Sequence, residues 1–302
     1  MKIAITGANG MLGTALIAHL SKKYKIFATS RSKGIENKNI EWSCFDLTDT
    51  VLLYKWLNKT RPDVVIHCAA IVDVDLCEKD IDMAIRLHCK TTQVISDYLD
   101  QINSRLIYIS TDSVFDGEKQ GAYKESDLVA PLNVYAKTKL MGEEFVQSVS
   151  SGLILRTNII GWTQEGKASF SEWILKGLIN SSPLNLFHDV CFSPLSVYDL
   201  SFIIEKIINK PIFGLYHCAS NDSISKYDFG KEMAKIFHLP DSCINRVSVD
   251  SAVFKAERPK NMALNIKKIE LALEYSFPSA TDAIKSIKCQ YNNENVLLSR
   301  KE

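Results

Sequence analysis

The chain has 302 residues, enough for a buried sheet with a smaller appended unit, in one or two domains. Its 36 Lys+Arg balance 35 Asp+Glu for a formal net charge of +1, with no long run of one sign. This argues against nucleic acid or an anionic membrane as partner and leaves a small molecule. The eight cysteines include no Cys-x-x-Cys pair and the six histidines show no ligand spacing near them, so we expect reduced, buried thiols, a cytoplasmic protein and no metal centre. Gly7, Asn9, Gly10 and Gly13 interrupt the apolar run from Ile3 to Leu20, which is therefore not read as a signal sequence, and no segment is long enough to span a bilayer.

Lys2 to Thr6 is a short β-rich run leading into Gly7-Ala-Asn-Gly10-Met-Leu-Gly13, and helical periodicity follows from Thr14 to Lys22. In a strand, turn and helix, such glycines let the backbone turn sharply, approach a pyrophosphate and pack helix on strand, with the phosphates at the helix N-terminus. The plain alternative is a glycine-rich loop without a ligand. The second strand, Tyr24 to Thr29, ends in Ser30-Arg31-Ser32-Lys33, where an NAD-selective site would place an acidic residue. Arg31, helped by Ser30, suits a 2′-phosphate and predicts a preference for NADPH, with NADH as the alternative cofactor. An exposed loop arginine is the competing reading. Trp42 to Leu47 puts Asp46 at the end of a short strand, where a carboxylate can accept from an adenine amino group, and Thr48 or Asp49 caps a helix running toward Asn58.

Val64 to Cys68 forms the next strand, followed by Ala69 and Ala70, small enough for a flat ligand to come close. Asp75 and Glu78 lie three apart, a spacing that serves helix capping before sugar binding. One long helix is expected from Asp80 to about Gln101. The strand Arg105 to Ser110 runs into Thr111-Asp112-Ser113-Val114-Phe115-Asp116-Gly117, with polar groups at the strand's C-terminal end, where open α/β sheets bind ligands. In PLNVYAKTKLMGEE, a helix would stack Tyr135 and Lys139 one turn apart, and the ammonium would lower the phenol pKa from its usual ~10. The same spacing recurs at Tyr227/Lys231, so only context distinguishes a site from a surface turn.

Leu153 to Arg156 closes the first half. A helix from about Ser169 to Asn180 and a strand near Leu184 to Phe187 read as inserts, whereas Asp189 to Ser193 and the helix Ser196 to Asn209 are expected to return to the main sheet. Gly214 to Ala219 adds a short strand, and Ser225 to Phe237 an amphipathic helix with Lys231 on its solvated face. Arg246, Lys255, Arg258 and Lys260 gather in a loop-rich region suited to a nucleotide diphosphate, with solubility as the alternative role. The fold expected is a Rossmann-like doubly wound parallel α/β sheet. Residues 1–157 plus about 188–212 would form the NADP-binding domain, and about 158–187 plus 213–290 a smaller, discontinuous substrate-binding domain. A polar, frayed tail would occupy 291–302.

The order of these motifs, Gly7-x-x-Gly10-x-x-Gly13, then Ser110-Thr111-Asp112, then Tyr135-x-x-x-Lys139, resembles the extended short-chain dehydrogenase/reductases. Ser-Thr-Asp-x-Val-Phe-Asp-Gly at 110–117 and Pro-x-Asn-x-Tyr-Ala-Lys-x-Lys at 131–139 look like the dTDP-4-dehydrorhamnose reductase family. The likeness extends through Val74-Asp75-x-x-Glu78, Leu155-Arg156-Thr157, Gly214-Leu-Tyr-His217 and Arg258-Pro259-x-Asn261, roughly residues 1–265. The resemblance implies that Tyr135 is the proton donor, that Lys139 binds the nicotinamide ribose and tunes the phenol, and that Thr111 holds the reacting oxygen. It also implies that Gly7, Gly10 and Gly13, with the backbone of Met11 and Leu12, form the phosphate loop. Asp46 and Leu47 would meet the adenine, Ala69 and Ala70 would line the cofactor groove, and Asp112, Asn158 and Arg258 would face the substrate.

The implied reaction is NADPH-dependent reduction of a nucleotide-linked 4-keto-6-deoxyhexose for surface polysaccharide, by a protein that forms a homodimer or acts alone. Two segments depart from the family pattern. Leu87-His88-Cys89 stands where an asparagine is common, and Asn158-Ile159-Ile160-Gly161-Trp162 replaces Ser-Trp-Val-Tyr-Gly beside the substrate. The glutamates that bind magnesium at the dimer interface of some members have no assigned counterpart. Alternatives on the same scaffold are an epimerase or dehydratase, and a non-catalytic regulatory subunit. Ser113 stands where a dehydratase commonly carries glutamate.

Overall fold

The computed structural model describes residues 1–163, 168–252 and 254–294. Seven strands form the main sheet: β1 (Lys2–Thr6), β2 (Lys25–Ser30), β3 (Ile40–Cys44), β4 (Val64–His67), β5 (Arg105–Thr111), β6 (Gly152–Thr157) and β7 (Gly214–His217). Their order is β7-β6-β5-β4-β1-β2-β3 and every pairing is parallel. Parallel strands are covered on both faces, which is why the central ones read as unbroken apolar runs: Ile3, Ala4 and Ile5 are all buried. One face packs Leu12, Leu16, Ile203 and Ile207, and the other packs Leu53, Trp56, Tyr98 and Leu99. Strand order reverses between β1 and β4. In open α/β sheets the loops after the two strands at such a reversal diverge, and ligands bind there at the C-terminal edge.

Several elements differ from the sequence reading. The first helix spans Met11–Leu20 and starts three residues early, because Gly10 is extended and acts as its cap. The expected long helix is Ile81–Ile85, a π-helical segment Arg86–Lys90 and Thr91–Gln101 in succession. The sequence places Gly214–His217 in the smaller unit, yet the strand pairs with β6 from Gly214/Leu153 to His217/Arg156 and so belongs to the main sheet. A four-residue strand carries no signal of its partner, which is distant in the chain. Cys191–Phe192, conversely, leaves the main sheet to pair with Ile224–Ser225 and Asn261–Met262. The following helix, Val197–Ile208, does return, packing on Met11–Leu20 with Glu205 bonded to His19 at 2.6 Å and to Lys23 at 2.7 Å.

A second core joins Ile174, Leu178, Leu184, Phe192, Phe229, Met233 and Ile284. The helix Ala280–Glu294 runs through the start of the expected tail, with Tyr291 packed against Trp162 and Phe237; residues 295–302 of that tail lie outside the described residues. No disulfide joins any of the eight cysteines, but Cys44 and Cys289 are exposed rather than buried. Among the described residues no helix is long and apolar enough to cross a membrane, and no cluster of His, Cys, Asp and Glu is arranged to hold a metal ion.

Candidate active site

The turn after β1 is built around two glycines. Gly7 has φ +63°, and a Cβ there would lie 2.8 Å from the backbone of Ala69; a Cβ on Gly13 would lie 2.3 Å from the Gly7 carbonyl oxygen. Both positions therefore admit no side chain, whereas Gly10 is less crowded, 3.1 Å from the same oxygen. Gly10 offers no side-chain cap, so the first N–H groups of Met11–Leu20 remain open to an anion. Asn9 ties the turn to the end of β2 through Ser32, at 2.8 and 2.9 Å. Hydrogen bonds from Thr48 hold the Asp46 carboxyl below its usual range, with a lesser contribution from the charge of Arg31, which is exposed. Asp46 lies two residues beyond β3 rather than at its end, with Oδ1 accepting from Thr48 N and Oγ1 at 2.9 and 2.7 Å. Leu47 is buried beneath it, and Asp49 caps the next helix.

Tyr135 and Lys139 lie on the helix Val134–Gln147. Asn133 caps it, accepting from Ala136 N at 2.9 Å, and Glu78 accepts from Val134 N at 2.8 Å. Glu78 thus serves the Tyr135 helix instead of its own, Val74–Lys79, which is capped by Asp73. The helix packs on β5, whose last residue is Thr111. The Tyr135 phenol pKa is pushed up to about 12, chiefly by burial. The sequence reading expected Lys139 to lower that pKa. Instead the ammonium donates to Ile109 O at 2.7 Å and stands 3.9 Å over the Tyr108 ring, and burial brings Lys139 itself down to about 7. The spacing puts the two residues on one face, but the lysine rotamer directs its charge elsewhere. The copy at Tyr227/Lys231 has no such surroundings: Lys231 pairs with Asp241 at the surface.

Asp112 is 1 % exposed and accepts from the Thr111 and Ser113 hydroxyls, each at 3.2 Å, and from Asn158 Nδ2 at 2.6 Å. Burial raises its pKa while these donors hold it down. Arg258 lies farther out, 39 % exposed, paired with Asp75 at 3.4 Å and set over Phe254. Asp75 also accepts from Ala256 N, so it ties down this loop and is not a cap. The predicted basic cluster is dispersed: Arg246 is exposed on the strand Ile244–Val247 and Lys260 pairs with Asp250 at 2.8 Å. The Pro259-x-Asn261 segment buttresses the 117–121 turn, with Asn261 Nδ2 donating to Lys119 O and Gly121 O.

Four further residues shape the site. Glu143, two turns beyond Tyr135, is fully buried and receives Arg156 of β6 through three contacts of 2.7 to 3.2 Å, plus Ser110 Oγ at 2.5 Å. This pair bolts the helix to β5 and β6. Its sequence signal was the position, on the Tyr135/Lys139 face, of an acidic side chain opposite a strand arginine. His88, in the π-helical segment, accepts from Ile71 N through Nε2 at 2.9 Å, so its Nδ1–H donates to Thr138 Oγ1 at 2.8 Å; its ring meets Tyr135 edge to face. A π-turn widens the helix and often marks functional sites. Burial takes the imidazole down to about 3, so it is neutral. Glu78 and Lys226 complete the group; the sequence reads Glu78, three after Asp75, as a helix cap, whereas nothing local marks Lys226.

The family model "RmlD substrate binding domain" matches residues 1–292. The chain is 30% identical over 207 residues to a dTDP-4-dehydrorhamnose reductase of Aggregatibacter actinomycetemcomitans, covering 67% of this chain and 66% of that protein, slightly under two thirds of the relative's length. It is also 30% identical over 280 residues to methionine adenosyltransferase 2 subunit beta of Rattus norvegicus, covering 89% of this chain and 81% of that protein. Among solved structures, a dTDP-4-dehydrorhamnose reductase of Clostridium acetobutylicum superposes with TM-score 0.84 at 29% identity, covering 97% of this chain and all of that one. One from Bacillus anthracis, in complex with NADP, superposes with TM-score 0.83 at 25% identity over 96% of this chain and 99% of that one. With a Rossmann-ordered sheet, the glycine turn and the Tyr135 helix in the expected places, the chain belongs to the RmlD substrate-binding-domain family within the extended short-chain dehydrogenase/reductase fold.

Proposed function

We propose that the protein is an NADPH-dependent reductase of a nucleotide-linked 4-keto-6-deoxyhexose. The observation that carries this reading is the placement of Tyr135 and Lys139 one turn apart on a helix held to the C-terminal end of β5, where Thr111 lies, next to the β1/β4 reversal of strand order. A phenol and a hydroxyl are thereby brought to one end of the sheet, the pair of donors a carbonyl oxygen needs. The site fits a dinucleotide on its own terms, since Gly7 and Gly13 let the turn close tightly against its own backbone and the helix N-terminus that follows carries no side-chain cap. Gly7, Gly10, Met11, Leu12 and Gly13 would hold the pyrophosphate, Arg31 the 2′-phosphate, Asp46 and Leu47 the adenine, and Ala69, Ala70 and Lys139 the nicotinamide riboside. When bound, the reduced nicotinamide supplies hydride to the carbonyl carbon.

The chain's own residues do the rest. Tyr135 donates to the carbonyl oxygen, Thr111 turns its hydroxyl from Asp112 to the same oxygen, and as negative charge grows there the phenol proton moves across. A phenol with a pKa of about 12 is almost wholly protonated at neutral pH, the state a reductase requires of its acid. A positioned acid of this kind contributes on the order of 10²- to 10⁴-fold, and orientation and stabilisation of the developing charge supply the remainder. Asp112, Asn158 and Arg258 would face the substrate. Replacing Tyr135 by Phe should abolish NADPH oxidation by dTDP-4-dehydrorhamnose while leaving NADPH binding largely intact; an active Phe variant would refute the assignment.

A second reading has one specific support: the match to methionine adenosyltransferase 2 subunit beta covers 89% of the chain, against 67% for the reductase relative. Under it the protein is a non-catalytic regulatory subunit. Stable co-purification with a methionine adenosyltransferase and no turnover of any keto sugar would select it.

A further inference from the structure

The backbone is tied down on both sides of Arg31. Phe45 N donates to Ser30 O at 3.2 Å, which holds the end of β2 to the chain after β3. Ser32 O accepts from the Ser30 hydroxyl and from Asn9 Nδ2 at 2.8 Å, and the same amide nitrogen donates to Ser32 Oγ at 2.9 Å. Asn9 stands inside the glycine turn, one residue before Gly10, and the neighbouring Ala8 N donates to Thr29 O at 3.1 Å. The segment that carries Arg31 is therefore fastened to the turn itself. Its guanidinium is exposed and makes no ion pair among the described residues, whereas Lys33 pairs with Glu36 at 3.4 Å.

Farther along, the loop is held again. Trp42 Nε1 donates to Ile35 O at 3.0 Å, and Gly34 is wedged between the two tethers: a Cβ there would lie 2.1 Å from Asn9 Oδ1 and 2.9 Å from the Trp42 ring. Between this loop and the first helix lies a cavity of about 260 Å³, walled by Thr14 and Ile17 on the helix side and by Gly34 and Ile35 on the other. Apolar packing along that stretch is incomplete, so hydrogen bonds carry much of the work of fixing its position.

Asn9 spends its amide donors on Ser32 and none on its own turn. The pyrophosphate and the 2′-phosphate of one dinucleotide are joined through a single ribose, so the two points that bind them must keep a set separation. A side chain that reaches from the phosphate turn to the residue after Arg31 sets that separation.

Resting on the NADPH part of the reductase reading, we propose that Asn9 is a positioning residue for cofactor selectivity. It holds Arg31 at the distance from the glycine turn that a 2′-phosphate requires, and Trp42 supports the same loop from its far end.

The test reads binding directly, as dissociation constants of NADPH and NADH from fluorescence titration of the full-length protein. Asn9→Ala should weaken NADPH roughly 3- to 10-fold, the cost of ordering one long side chain on binding, and change NADH by less than about 2-fold. Trp42→Phe, which keeps an aromatic ring but loses the Ile35 bond, should give the same split at smaller size. In an Arg31→Ala background Asn9→Ala should cost NADPH nothing further, because the residue it positions is gone. Equal weakening of both cofactors, no weakening of either, or a full additional loss on top of Arg31→Ala would overturn the positioning role and leave the reductase reading standing. If Arg31→Ala itself leaves NADPH binding unchanged, the 2′-phosphate role of Arg31 fails and the role of Asn9 falls with it.

Discussion

Removing the guanidinium of Arg156 should destabilise the protein by about 3–5 kcal/mol, the range for stripping one partner from a buried ion pair. Glu143 has no exposed side-chain surface and Arg156 only 4%. Its carboxylate is met by Arg156 Nη2 at 2.7 Å and Nε at 3.0 and 3.2 Å, and by the Ser110 hydroxyl. Arg156→Met removes the guanidinium, which also stands 5.3 Å from the Phe115 ring centroid, and leaves a buried carboxylate with one hydroxyl donor. In Glu143→Leu/Arg156→Met no charge is stranded and the main remaining loss is the Ser110 acceptor, about 1–3 kcal/mol. The double variant should therefore be more stable than Arg156→Met alone, although it carries one more substitution. Urea unfolding followed by circular dichroism, with stabilities compared at unchanged m-value, measures the cycle. Strictly additive losses, or a cost below about 1 kcal/mol for Arg156→Met, would refute the view that this pair is a buried, mutually dependent bolt.

Gly13→Ala would drive a Cβ to within 2.3 Å of the Gly7 carbonyl oxygen and 2.7 Å of Ala8 Cα, so the turn must shift. NADPH affinity, read by fluorescence titration, should fall at least about 10-fold, with a stability loss of roughly 1–3 kcal/mol as for other overpacked sites. Lys139 contributes a pH dependence of known sign. Its folded pKa is depressed to about 7 from 10.5, so the penalty for its charge is absent above the unfolded value, grows as pH falls through that window and is full below pH 7. The stability of the wild type relative to Lys139→Met should accordingly rise between pH 7 and 10, at no more than about 1.4 kcal/mol per pH unit; a flat difference in urea unfolding would contradict this. Arg31→Ala should raise the KM for NADPH by roughly 10-fold or more, as expected for losing a charge-assisted contact, while leaving the KM for NADH nearly unchanged. Equal effects on both cofactors would remove Arg31 from the 2′-phosphate role.

Much of this protein is legible from local sequence, because the features concerned are enforced by neighbours along the chain. The apolar runs of β1, β4 and β5, the turn requiring glycine at 7 and 13, and the Asn133 cap two residues before Tyr135 all depend on backbone geometry and short-range periodicity. The sequence by itself therefore determined a Rossmann-type sheet, a dinucleotide-sized glycine turn and a helix carrying Tyr135 and Lys139 on one face. Other properties arise only when distant segments meet. Tertiary structure alone decided that Gly214–His217 joins the main sheet, that Glu78 serves the Tyr135 helix, that Arg156 neutralises Glu143 and that Lys226 stands over the Phe192 ring. It also reversed the expected electrostatics of Tyr135. A four-residue spacing sets which face two side chains share, but burial and the direction of the Lys139 ammonium toward Ile109 set the phenol's pKa, and both depend on contacts across the sheet.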